Sequence, residues 1–436
     1  MTRPQRRAAT PLFHLYRAAT TMLVPLAYRK IRQKLAAQGI SDARQRERLG
    51  YPTQLRPQGQ LIWLHGASVG ESLAALTLIE HLSTLRPDAH FLLTSGTATS
   101  AEMAQKRLPS NAIHQFAPLD GSQPVNRFLT HWQPDAAIFV ESELWPVTLH
   151  DTAKRNIPIA LVNARLSQKS FANWRKRSDT AAFVMDQFSL VLAQNDAVAT
   201  QLTQLGARDV HPAGNLKAGA APLPVDHTTL NDLRDQLQGR PVWIASSTHP
   251  GEEDTVLAAH KALLEQFPDL LLLLAPRHPE RGSNLMTQIQ AADLTVVQRS
   301  AGKMPTPATQ VYLADTLGEV GTWYALSPIV FLGGSLLPIG GHNPFEVARA
   351  GAAILTGPGY SNFMETFPAL IDAGGAVEVA TASQLSAAVT EWLYNADTQT
   401  RAQTAAQHYL AQQTDQLDQT LSAIVQMLDH AKRATG

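Results

Sequence analysis

The sequence contains no cysteine, which excludes disulfides, thiolate nucleophiles and cysteine-bound zinc, and is compatible with folding in the cytoplasm. It has no surplus of either charge: 36 Lys/Arg balance 36 Asp/Glu, so a globally basic nucleic-acid binder is excluded. The G-x-x-x-x-G-K-[ST] phosphate loop, the HExxH pair and the EF-hand pattern are all missing, and no D-x-D pair occurs. A catalytic divalent metal is therefore not indicated. Long hydrophobic runs are missing too. Within residues 8–28 the longest uncharged run, Ala18 to Tyr28, falls short of the roughly 20 residues a spanning helix needs. No clean apolar core leads to a small-residue cleavage site, so a secretory signal is not expected.

What is present is apolar material in an ordered series. The 436 residues are 44% apolar, enough for two domains of roughly 200 residues. Strand-like runs stand at 61–65, 90–95, 136–142, 157–163 and 190–195, with amphipathic stretches between them. A second series follows at 241–247, 270–276, 309–315, 328–334 and 352–357. Continuous apolar runs separated by helices indicate parallel strands buried on both faces. The expected fold is α/β, with two Rossmann-like doubly wound domains facing each other across a cleft. The break is expected within the Pro/Gly/Ala-rich stretch 211–229. Residues 1–48 carry 11 Lys/Arg against 2 Asp/Glu, which suits a basic helix lying on an anionic membrane surface. A helix packed on the body of the protein, with a solvated basic face, would give the same pattern.

In open α/β sheets ligands bind beyond the carboxyl ends of strands, so chemistry is expected at the strand ends. "LIWLHGASVGES" (61–72) fits the G-x-S-x-G turn that exposes a hydrolase serine, Ser68. One step on, Glu71 falls in the first turn of a helix, where the dipole favours a carboxylate. It can accept a proton from an incoming hydroxyl, or simply complete a helix cap. "FVESELWP" adds Glu141 and Glu143 at another strand end. Two such acids take separate roles if their surroundings push their pKa values apart. "LLLLLAPRHPER" ends in Arg277, His278 and Arg281, and arginine's planar fork suits phosphate. "FLGGSLLPIGGHNPFE" combines Gly333, Gly334 and Ser335, whose backbone can approach a ligand, with Asn343, Pro344 and Glu346 in the spacing of an N-cap, a first-turn proline and a capping-box acid.

Taken together and in order, "WLHGASVGES", "VESELWP", "LVNARLS", "APRHPER" and "GGSLLPIGGHNPFEVARAGAAILTGPGYSNF" resemble the 3-deoxy-D-manno-octulosonic acid (Kdo) transferases of lipopolysaccharide synthesis. The resemblance runs from the basic N-terminal segment to about residue 370. It implies an inverting, metal-independent glycosyltransferase of the GT-B fold, with CMP-Kdo as donor, a lipid A precursor as acceptor and no resident cofactor. It places the protein at the cytoplasmic side of the inner membrane, on the lipid surface, with no nucleic-acid partner. By the same resemblance Glu71 is the general base and Glu143 the second acid on the acceptor side. Pro276, Arg277, His278, Gly333, Gly334, Ser335, Asn343 and Glu346 form the donor side, with Pro276 near the cytosine. The expected divisions are a membrane-associating segment 1–48, an acceptor domain 49–215 and a CMP-sugar domain 216–436 that includes the last helix. Rival expectations are a UDP-sugar transferase or epimerase on the same fold, and a lipid esterase using Ser68.

Overall fold

In a computed structural model, residues 6–219 and 222–435 are described. The first five residues of the expected basic segment and two residues of the expected 211–229 linker lie outside them. Two compact units are present: residues up to 220 together with those from 413 onward, and residues 221–412 between them. The change of unit thus falls a few residues after the expected 215/216 boundary. The last helix, Ala396–Thr435, starts in the second unit and ends in the first.

The first unit is built on seven parallel strands: β1 Leu61–His65, β2 His90–Ser95, β3 Ala112–Phe116, β4 Ala136–Val140, β5 Ile159–Ala164, β6 Leu190–Ala193 and β7 Val210–Pro212. Their order is β3-β2-β1-β4-β5-β6-β7. Every residue of β1 and β4 is buried, which is why these strands read as unbroken apolar runs. One side of the sheet packs Trp63, Phe128, Trp132 and Phe139 together. The other side packs Ile62, Leu64 and Leu76 with Leu417, Leu421, Ile424 and Leu428. Four residues of the last helix therefore complete a core opened more than 350 residues earlier.

The basic segment forms the helix Pro11–Ala37, capped by Thr10. Its start is attached to the first unit: Phe13 lies against Phe183 with ring centroids 4.8 Å apart, and Arg17 pairs with Asp151 at 3.1 Å. Its next turns leave Leu15, Met22, Leu23 and Leu26 exposed. Among the described residues no helix is long and apolar enough to cross a membrane.

The second unit repeats the plan with β8 Val242–Thr248, β9 Leu271–Pro276, β10 Val296–Gln298, β11 Val311–Leu313, β12 Ile329–Leu332, β13 Ala353–Thr356 and β14 Ala376–Glu378. The order is β10-β11-β9-β8-β12-β13-β14, again parallel. In both sheets the winding reverses beside the first strand, between β1 and β4 and between β8 and β12. Such reversal points open a crevice at the strands' carboxyl ends. Both sets of candidate residues leave the chain there.

Candidate active site

At the first reversal point, β1 turns through Gly66 into the helix Val69–Leu85. A side chain at Gly66 would press within 2.7 Å of the Glu71 backbone, so only glycine allows this close return. Ser68 is the N-cap, and its hydroxyl accepts the Glu71 amide at 3.3 Å. The Glu71 carboxylate in turn accepts the amides of Ala67 at 2.7 Å and Ser68 at 3.2 Å, completing a capping box. Among the described residues no imidazole hydrogen-bonds the Ser68 hydroxyl. The serine is thus occupied as a cap, without the base a hydrolytic serine needs.

Glu143 follows β4 and meets Glu71. Burial pushes the Glu71 carboxyl up from the usual range, and the neighbouring Glu143 charge pushes it further, against the pull of the Ser68 bonds. Glu143 moves the other way. Its burial is outweighed by hydrogen bonds from His65 and Trp145, which hold it below the ordinary range. His65 Nε2 lies 3.3 Å from Glu143 Oε2, and its Nδ1 lies 2.9 Å from Thr94 Oγ1. The Trp145 indole donates to the same Glu143 oxygen. The two carboxyls share one crevice and are driven apart in acidity, Glu71 upward and Glu143 downward. Glu141, the other acid of this strand end, has φ 64° and pairs with Arg165 at 3.6 Å. It adds a minor push on Glu71.

At the second reversal point the structure assembles a basic cluster. Arg277 follows β9 and its amide donates to Thr248 O at 3.0 Å, while Pro276 is buried as the last residue of that strand. His249, after β8, lies 5.7 Å from His278, ring to ring and edge-on. It stacks on His342 with Nε2 atoms 3.0 Å apart. Burial lowers His342 to about 4, helped by His249, Arg277 and His278, and burial likewise lowers His249. Gly334 has φ 66°, and a Cβ there would come within 2.8 Å of the His342 ring. Asn343 caps the helix Pro344–Arg349 through the Phe345 amide and donates to Glu346 at 3.1 Å. Burial pushes the Glu346 carboxyl up.

Part of the expected donor side is arranged differently. The amides of Gly334 and Ser335 do not face open space: both donate to the buried carboxylate of Glu252, at 2.7 and 2.9 Å. Leu336 and His249 add their amides at 2.8 and 2.9 Å. The Ser335 side chain is fully buried, donating to Leu332 O and accepting from Gly357 N, both at 2.7 Å. Gly333, Gly334 and Ser335 therefore build the turn that carries His342, and their donors are internally satisfied. Arg281 is likewise engaged, with buried Glu253 at 2.7 Å. His65, His249, Glu252 and His342 were missed in the sequence. The signal for two of them was their place at strand ends, in "LIWLH" and "SSTHPGEE".

Two doubly wound units, one with paired acids and one with arginine and imidazoles at its reversal point, give an α/β architecture of the GT-B type. A solved glycosyltransferase from Rickettsia africae shares the fold, with a TM-score of 0.57 at 11% identity, over 86% of this chain and 99% of that one. The family described as 3-deoxy-D-manno-octulosonic-acid transferase (kdotransferase) matches residues 43–220. A probable mitochondrial 3-deoxy-D-manno-octulosonic acid transferase of Arabidopsis thaliana is 36% identical over 88% of this chain and 88% of its own length. The corresponding transferase of Haemophilus influenzae is 34% identical over 89% and 93%. The chain belongs to the 3-deoxy-D-manno-octulosonic acid transferase family, and it is accordingly a glycosyltransferase.

Proposed function

We propose that this protein transfers Kdo from CMP-Kdo to a lipid A precursor, with inversion at the anomeric carbon and without a metal ion, at the cytoplasmic face of the inner membrane. The observation that carries the reading is Glu71: a helix-start carboxylate with raised pKa beside an ionised Glu143. In this reading the acceptor hydroxyl oxygen bonds to the anomeric carbon while its proton passes to Glu71. The bond from that carbon to the phosphate oxygen breaks, and its electron pair leaves with CMP. Charge on the departing phosphate grows, and Arg277 with the His249–His342 pair offers donors to it. Glu346 and Asn343 stand beside them to accept and donate to hydroxyls of the nucleoside. The lipid surface is supported by the N-terminal helix, where exposed Leu15, Met22 and Leu26 precede Arg29, Lys30, Arg32 and Lys34.

The test is Kdo transfer from CMP-Kdo to a tetraacylated lipid A precursor, with chelator present. Wild type transfers, and Glu71→Gln loses roughly 10²–10⁴-fold in kcat while CMP still raises its melting temperature. A folded wild type that transfers nothing, or a Glu71→Gln variant of normal rate, overturns the reading.

A further inference from the structure

One cation of the first unit, in a pocket that also contains His65 and Ala67, has no part in the scheme above. Arg48 lies in the short turn Arg46–Leu49 and lines a pocket of about 60 Å³ in the first unit. Its neighbours there include Trp63, His65, Ala67, Gly96 and Trp145. The pocket reaches His65, which holds Glu143, and Ala67, which holds Glu71.

Nearly every donor along this pocket is already engaged. Ala67 N is taken by Glu71, and the Trp145 indole by Glu143. The Trp63 indole donates to Thr94 at 2.8 Å. Thr148 gives its amide and its hydroxyl to Asp120, at 2.7 and 2.6 Å. Arg48 differs. Its Nη1 donates to Ala117 O at 2.5 Å, but its Nε is buried and has no partner.

Arg48 also lacks a counter-ion among the described residues. Glu47 beside it is engaged by Arg44, Thr53 and the Phe116 amide. Asp120, which shares the pocket, receives Tyr16, Val147 and Thr148, and burial pushes its carboxyl up toward the neutral form. Burial alone pulls the Arg48 guanidinium down to about 10. As a residue Arg48 is only partly buried, and a guanidinium with one unpartnered N–H and no anion beside it gains from an anion that completes it. A guanidinium fork is completed best by two oxygens of one carboxylate or phosphate.

We propose that this pocket is an oxyanion subsite of the active centre, with Arg48 holding a carboxylate or phosphate of the substrate next to Glu71 and Glu143. Two groups share that chemistry: the carboxylate of a transferred sugar acid and a phosphate on the acceptor. The subsite offsets the repulsion such an anion meets from the two acids. Its substrate rests on the proposed sugar transfer; its existence does not.

The experiment uses the full chain as wild type, Arg48→Lys and Arg48→Met, with inorganic phosphate as the first probe. Phosphate is expected to raise the wild-type melting temperature above a chloride control of equal ionic strength, and Arg48→Met to lose at least half of that rise. In the transfer assay, Arg48→Met is expected to raise the KM of one substrate tenfold or more and leave the other within twofold, with Arg48→Lys in between. A donor effect assigns the sugar carboxylate, and an acceptor effect the phosphate. An unchanged phosphate response together with unchanged KM values overturns the subsite, even if both variants melt lower. If wild type transfers no sugar, the functional reading fails, and the phosphate response alone decides the subsite.

Discussion

Glu71 and Glu252 occupy matching places in the two units. Each follows the first strand of its sheet, at the reversal point and at the start of the next helix. Their fates are opposite. Glu252 is fully buried and accepts four backbone amides, from His249, Gly334, Ser335 and Leu336. Glu71 accepts two, from Ala67 and Ser68, and shares its crevice with another carboxyl. A carboxylate saturated with donors is architecture: its negative charge is neutralised by amide dipoles and it joins two loops. One left partly satisfied beside a like charge is chemically available. The lesson is that position within the fold nominates a residue, and the number of donors around it decides what the residue can do.

That contrast can be broken by single substitutions. The largest effect is expected at Glu252→Ala, which leaves three loop amides and that of His249 without their acceptor inside the protein. Loss of such a buried, hydrogen-bonded charge costs about 3–5 kcal/mol, read by thermal or denaturant unfolding. Stability within 1 kcal/mol of wild type would mean that the loop holds without its anchor. A smaller effect is expected at Glu143→Gln. In the proposed mechanism Glu71 must be ionised to take a proton, so activity is expected to fall as pH drops through its raised pKa. Removing the Glu143 charge lowers that pKa, and the acid limb of the kcat/KM profile moves to lower pH. A limb that stays or moves upward would exclude the mutual repulsion. The smallest effect is expected at Ser68→Ala, which removes a helix cap worth about 1 kcal/mol and leaves the transfer rate within a few-fold. Complete loss of activity in a folded Ser68→Ala protein would reinstate the serine as nucleophile.

The sequence reveals the inner part of each sheet and conceals its borders. All ten apolar runs read as strands are strands. The four strands without such a run, β3, β7, β10 and β14, are the outermost strands of the two sheets. An edge strand is covered on fewer sides, so it need not be uniformly apolar: "VHP" in β7 and "AVE" in β14 carry no hydrophobic run. The site divides in a similar manner. Glu71 was legible because its glycine turn, cap and helix lie within a dozen residues. The His249–His342 pair joins residues 93 apart, and the Glu252 anchor spans 82 to 84 positions. No local spacing announces either, and the glycines of "GGS" read equally as ligand-facing or internally satisfied until Glu252 is in place.

The final helix has a consequence for the timing of synthesis. Leu417, Leu421, Ile424 and Leu428 belong to the same buried cluster as Ile62 and Leu64. Nearly two hundred residues of the second unit are therefore translated between the bulk of the first unit and its last core pieces. At roughly 5–20 residues per second, that interval lasts ~10–40 s on the ribosome. Throughout it the nascent first unit presents an apolar seam that its own chain has yet to supply. Whatever shelters that seam during the wait acts on a folding intermediate prescribed by chain order.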